Sequence, residues 1–266
     1  MTWHKLSPAI QTLLVFLLAQ GVGTLLLIAT GVLTLPDFSI SFNSPLFSFI
    51  LMAVDILAVL ACYFLLHNIR PVTAGDFSSV NWCPGALGIA GGLLGAMSIS
   101  VLTEGMELPD AVQQMSMAMS HDVWGLIALV IVGPVTEELL FREAIVGEML
   151  RRGATPWMAI AVSALAFGAM HLNLAQGLYA LPLGILFGII YYKTGNIILS
   201  SLLHIVNNGI VAAQLYILGE DMANISYTEW LGSIYMTYAF MLVLGVLCIT
   251  LMKKFWDSYL PLQRNG

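Results

Sequence analysis

The residues of this chain that could do chemistry are adjacent carboxylates at Glu137 and Glu138, an arginine at Arg142, His171, and the pair His204 and Asn208. Each lies in or beside a strongly apolar run, where an ionisable side chain costs roughly 2.5–3.5 kcal/mol on the insertion scale and therefore calls for a partner or a task. Helical spacing divides them. Glu138 and Arg142 stand at i and i+4, share a face and can form an ion pair that accounts for both. Glu137 lies about 100° round the helix at ~3.6 residues per turn, so it is the spare carboxylate. His204 and Asn208 present an imidazole and a carboxamide from successive turns of one face, so both can donate to one oxygen. These are the parts that peptide hydrolysis needs: a base to activate water, and donors aimed at the oxyanion that forms.

The elements that must position these groups follow from composition. Of 266 residues, 59% are hydrophobic and 9% charged, and the mean hydropathy is +0.91. So little charge cannot cover a globular surface, and the apolar runs match the ~20 residues that cross a bilayer. The fold class expected is an all-α polytopic membrane bundle of about eight helices, with spans near 9–33, 46–67, 84–102, 122–142, 156–172, 175–192, 196–218 and 231–252. The first run is too long and too poor in a small-residue cleavage site for a signal peptide. The chain divides into N-terminal helices and an outer segment (1–121), a catalytic core (122–218), and a last helix with a tail (219–266), all one membrane domain. A net charge of −6 with nine Lys and Arg excludes nucleic acid as a partner. Three cysteines without a CxxC pair argue against disulfides or a thiolate metal site and read as core filler.

Cytoplasmic loops carry the Lys and Arg excess. An N-in, C-in arrangement places Lys5, Arg70, Arg151, Arg152, Lys193, Lys253, Lys254 and Arg264 on cytoplasmic segments, with Arg142 at or near that side. The outer segments then hold Asp37, Glu104, Glu107, Asp110, Asp122, Glu220, Asp221 and Glu229. An odd number of spans would spoil the sorting. Asp110 and Gln113 resemble a capping box that opens a short surface helix, whose Met115 and Met119 read as packing. Gly85, Gly88, Gly91, Gly92 and Gly95, and Gly184 with Gly188, allow helices to approach closely.

Taken singly, the polar residues also have structural explanations. His171 reads as an interhelical strut, Asp55 equally as strut or functional carboxylate, and Glu143, Glu148 and Arg152 as a cytoplasmic helix end with Glu148 and Arg152 paired. The combination on three spans is harder to explain that way. Moreover, EELLFR fits EExxxR, FGAMH fits FxxxH and HIVNN fits HxxxN, an ordered set that resembles the CPBP intramembrane proteases, also called the CAAX type II prenyl protease or Abi family. The resemblance covers about residues 122–212. It implies a multi-helix membrane endopeptidase with a cavity open to the cytoplasmic side, and maps catalytic roles onto Glu137, His171, His204 and Asn208, with Glu138 and Arg142 as structural support.

The preferred mechanism uses no cofactor. In a low-dielectric bundle Glu137 is a stronger base, which with His171 deprotonates water while His204 and Asn208 hold the oxyanion, each donor worth ~3–4 kcal/mol. An alternative is one Zn2+ held by Glu137, His171 and His204, although HExxH spacing is absent. Further alternatives are a proton-coupled transporter, for which no internal repeat is visible, and a non-catalytic bacteriocin-immunity or sensor-partner protein. The partners expected are the lipid bilayer and a peptide or protein substrate, lipidated or not, and the location a bacterial cytoplasmic membrane.

Overall fold

The computed structural model describes residues 3–106, 113–219 and 226–259. Among them the architecture is a bundle of apolar helices with a single two-stranded ribbon, Leu33–Thr34 against Ser39–Ile40. The helices are α1 (Trp3–Ala29), α2 (Pro45–Leu66), the short α3 (Ala74–Ser78), α4 (Trp82–Glu104), α5 (Gln113–Ser120), α6 (Val123–Arg151), α7 (Pro156–Met170), α8 (Leu174–Thr194), α9 (Ile198–Leu218), α10 (Tyr227–Leu231) and α11 (Ile234–Ser258). Among the described residues seven, α1, α2, α4, α6, α8, α9 and α11, are long and apolar enough to cross a membrane.

Of the eight runs expected to span, the one that is shorter than the others is α7. Its 15 residues reach about 22 Å at ~1.5 Å per residue, short of the ~30 Å hydrocarbon core. The helix ends at Met170 because Leu172 adopts a left-handed backbone (φ 52°), and the Asn173 side chain then caps α8 by accepting from the Ala175 N–H. Nevertheless α7 and α8 form a hairpin that leaves one end of the molecule and returns to it.

That end is defined by hydrogen bonds from cations. Lys5 Nζ donates to the Gly153 carbonyl (2.7 Å), Arg152 Nη1 to Ser7 Oγ (2.7 Å), Arg151 Nη2 to the Asn68 carbonyl (2.8 Å) and Arg70 Nη2 to the Gly195 carbonyl (3.4 Å). Lys193 Nζ lies 4.7 Å from the centre of the Trp256 ring. The start of α1, the segments after α2 and α6, the end of α8 and the last turns of α11 are thus gathered together. Arg264, Glu107, Glu220, Asp221 and the proposed cap at Asp110 lie outside the described residues.

Packing places α6 to α9 at the centre. α1 and α2 pack on α6, while α4 lies between α11 on one side and α8 with α9 on the other. The glycines of α4 permit this, since Gly85 and Gly92 abut Leu199 and Leu203 of α9, and Gly88 and Gly95 abut Phe255 and Cys248 of α11. Gly184 of α8 similarly faces the Ala164 backbone of α7. Of the cysteines, Cys62 and Cys248 are buried as core filler, but Cys83 at the start of α4 is exposed. Met119 is buried and Met115 packs on the core.

Candidate active site

Within α6 the hydrogen-bond register passes into the π form twice. Ala128–Val132 and Glu138–Gly147 are π-helical, separated by one α-turn at Gly133–Glu137. Such i→i+5 stretches are rare and concentrate at functional sites. They also alter the angular spacing that a 3.6-residue period assumes, and both carboxylates meet His204 of α9.

Glu138 and Arg142 are fully buried, with Arg142 Nε 3.3 Å from Glu138 Oε2. The guanidinium lies over the rings of Phe167 at 4.6 Å and Phe187 at 5.0 Å. Its nitrogens have no hydrogen-bond acceptor among the described residues, so Glu138 and two aromatic faces meet its charge. The second oxygen of Glu138 lies 3.2 Å from His204 Nδ1. A carboxylate can only accept, so Nδ1 carries a proton and Nε2 is turned toward Glu137, whose Oε2 is 3.6 Å away. The His204 ring is stacked on Phe187 with centroids 4.7 Å apart. His204 therefore stands between the two carboxylates. Glu138 and Arg142 lie side by side as their spacing predicts, and Glu138 in addition meets His204.

Glu137 retains 30% side-chain exposure and lines a cavity of about 60 Å³ with Phe16, Phe141, Phe167, Met170 and His171. One water needs ~10–15 Å³, so more than one can enter. His171 Nδ1 donates to the Phe167 carbonyl at 2.8 Å, which leaves Nε2 to accept a hydrogen bond from water. Phe167 is edge-on to both histidines. Its helix is fastened to α6 by the bond from Ser163 Oγ to the Phe141 carbonyl, 2.7 Å.

The structure thus brings Glu137, His171 and His204 together. Neither His204 nor Asn208, one turn beyond it, is among the residues that line the cavity; Asn208 Nδ2 donates to the Leu129 carbonyl at 3.1 Å, leaving one N–H of the carboxamide uncommitted in that bond. His171 Nδ1 is bonded to its own helix and His204 Nδ1 to Glu138, which leaves Nε2 of each ring outside those bonds; among the described residues no group of three or more His, Cys, Asp or Glu side chains that could hold a metal ion is found.

Sequence reasoning missed several residues here. Glu143, expected at a helix end, is buried, accepts from Tyr191 Oη (2.7 Å) and pairs with Arg151 (2.8 Å), although Glu148 and Arg152 do pair as expected (2.7 Å). Tyr179 Oη donates to Asn207 Oδ1 at 3.1 Å. Asp55 accepts from Gln20 (3.3 Å) and is near enough to Glu137 for their charges to interact. Only the Asn207–Asn208 doublet offered a sequence signal, whereas the other contacts join distant helices.

The region that contains all of the motif residues also has a recognisable family signature. Residues 119–210 match the family described as Type II CAAX prenyl endopeptidase Rce1-like. The match spans roughly a third of the chain and includes Glu137, His171, His204 and Asn208. No curated protein and no solved structure matches the chain. The chain is a multi-pass membrane protein with an Rce1-like segment, the same family that its three motifs resemble.

Proposed function

We propose that the protein is an intramembrane endopeptidase that hydrolyses a peptide bond of a membrane-associated peptide or protein. The observation that carries this reading is the position of Glu137, which shares a water-sized cavity with His171 and faces Nε2 of His204. Glu137 takes one proton from water, which His171 Nε2 helps to hold, and the hydroxide oxygen bonds to the scissile carbonyl carbon. His204, doubly protonated and oriented by Glu138, donates from Nε2 to the resulting oxyanion. Asn208 donates its remaining N–H to the same oxygen. When the C–N bond breaks, Glu137 returns the proton to the departing amine. All of these steps use side chains of the protein itself.

The family match supports CAAX-type proteolysis in general. We extend it to a substrate presented at the end where the cations gather, taken here as the cytoplasmic face of a bacterial cytoplasmic membrane. The test is cleavage of a peptide panel, farnesylated and unmodified at cysteine, by purified protein in nanodiscs. Cleavage that disappears in Glu137→Gln supports the proposal. Cleavage that persists in that variant, or no cleavage of any peptide, overturns it in favour of contamination in the first case and a transport or partner role in the second.

A further inference from the structure

The carbonyl of Leu129 is open because of a proline. In the π-helical turn the Gly133 N–H donates to the Ala128 carbonyl, an i→i+5 bond. The next donor in that register belongs to residue 134. Pro134 has no N–H, so the Leu129 carbonyl lacks its partner within the helix, and Asn208 Nδ2 fills the position from α9 at 3.1 Å.

This contact sets the direction of everything attached to it. A carbonyl can only accept, so the amide nitrogen of Asn208 must point at Leu129 and its oxygen must point away. That oxygen accepts from Asn207 Nδ2 at 3.3 Å. Asn207 Oδ1 is then turned outward and accepts from Tyr179 Oη of α8 at 3.1 Å. Reversing Asn208 would set oxygen against oxygen at Leu129 and nitrogen against nitrogen at Asn207, and reversing Asn207 alone would set oxygen against oxygen at Asn208. The three links therefore run one way, from a phenol on α8, through two carboxamides on α9, to a backbone oxygen on α6. They join the helices that hold His204 and Glu137.

We infer that Tyr179 and Asn207 are positioning residues that fix the orientation of the Asn208 carboxamide, with Pro134 creating the acceptor that anchors it. The inference rests on the oxyanion role proposed for Asn208. Neither Tyr179 nor Asn207 touches the cavity lined by Glu137 and His171. Their effect is on which way the remaining N–H of Asn208 is held, hence on transition-state stabilisation rather than on substrate binding.

The test uses Tyr179→Phe, which keeps the ring and removes only the hydroxyl. In nanodiscs the variant should lower kcat about tenfold, less than the ~10²–10³ lost with a whole oxyanion donor, while KM stays within about twofold. In an Asn208→Ala background the same substitution should cause no further loss, since residues acting through one another are not additive. A merely structural contribution would add to the Asn208→Ala loss and would overturn the inference, as would an unchanged kcat. A second measurement needs no activity: in asparagine-labelled protein the side-chain amide resonances of both Asn207 and Asn208 should shift in Tyr179→Phe. An Asn208 signal that does not move overturns the inference directly. If wild-type protein cleaves nothing, or Glu137→Gln cleaves as well as wild type, the protease reading fails, and the amide signals still decide whether the chain of bonds exists.

Discussion

Replacing Glu137 by glutamine keeps the shape of the side chain but removes the carboxylate that takes a proton from water. Turnover per folded molecule should fall ~10²-fold or more, and thermal stability should barely change because the side chain is partly exposed and reaches His204 only at 3.6 Å. Glu138→Gln is a different experiment. It leaves Arg142 buried without its countercharge, a loss of ~3–5 kcal/mol where one partner of a buried pair is removed, and it frees His204 from the acceptor at Nδ1. Accumulation should drop first, and cleavage per folded molecule should fall as well. Comparing the melting temperature and kcat of both variants checks this, and a fully stable Glu138→Gln protein would contradict it. At this scale the motif residues were legible because each is polar in an apolar run. What their spacing could not show is that His204 bridges both carboxylates, since i and i+4 rules describe contacts within a helix and this contact crosses between two. Glu143 was misread for the same reason, as its partner Tyr191 lies on another helix.

Elements impose a second set of conditions. Pro134→Ala returns an N–H to α6 and offers the Leu129 carbonyl a partner in its own helix. The helix should close, so the melting temperature should be unchanged or higher, given that an interior proline costs ~3 kcal/mol; kcat should nonetheless fall as Asn208 loses its anchor. Parallel loss of stability and activity would argue against this account. Outside the spans, α3 is opened by a capping box in which Thr73 and Asp76 bond each other's backbone or side chain. Although partial burial pushes the Asp76 carboxyl up, the Thr73 N–H and hydroxyl and the Arg70 guanidinium hold it below the usual range. A lowered folded-state value means that the stabilisation is present above the unfolded carboxylate's titration and disappears as pH falls through the folded one. Asp76→Asn should thus be less stable than wild type at neutral pH, with the difference closing below about pH 4, as thermal melts at stepped pH would show. Among elements, the glycines of α4 were legible, because close approach at Gly92 admits no side chain beside Leu203. The length of α7 was not, because its end depends on a left-handed Leu172 that hydropathy does not register.

The whole molecule carries its orientation in its cation contacts. Lys5, Arg70, Arg151 and Arg152 each donate a hydrogen bond to another segment at one end, and Lys193 packs on Trp256 there. These segments cannot be divided between two sides of a membrane without breaking those contacts, so a single labelled position fixes them all. On the positive-inside rule, we propose that this end faces the cytoplasm. A native reporter is already in place: Cys83 is exposed while Cys62 and Cys248 are buried, and the neighbouring Asn81 N–H donates to Tyr259 Oη beside the end of α11. A membrane-impermeant maleimide added to intact cells should leave Cys83 unmodified and should react once the cells are opened. In a Cys83→Ser protein, Asp37→Cys should do the reverse, because Asp37 lies in the ribbon at the far end of α1. The shortness of α7 makes the experiment decisive for the span count as well. If α7 with α8 returns to the side it left, Lys193→Cys is protected in intact cells like Cys83. Labelling of Lys193→Cys or of Cys83 from outside would place the cations on the outer face and overturn the proposed orientation together with the side from which substrate enters.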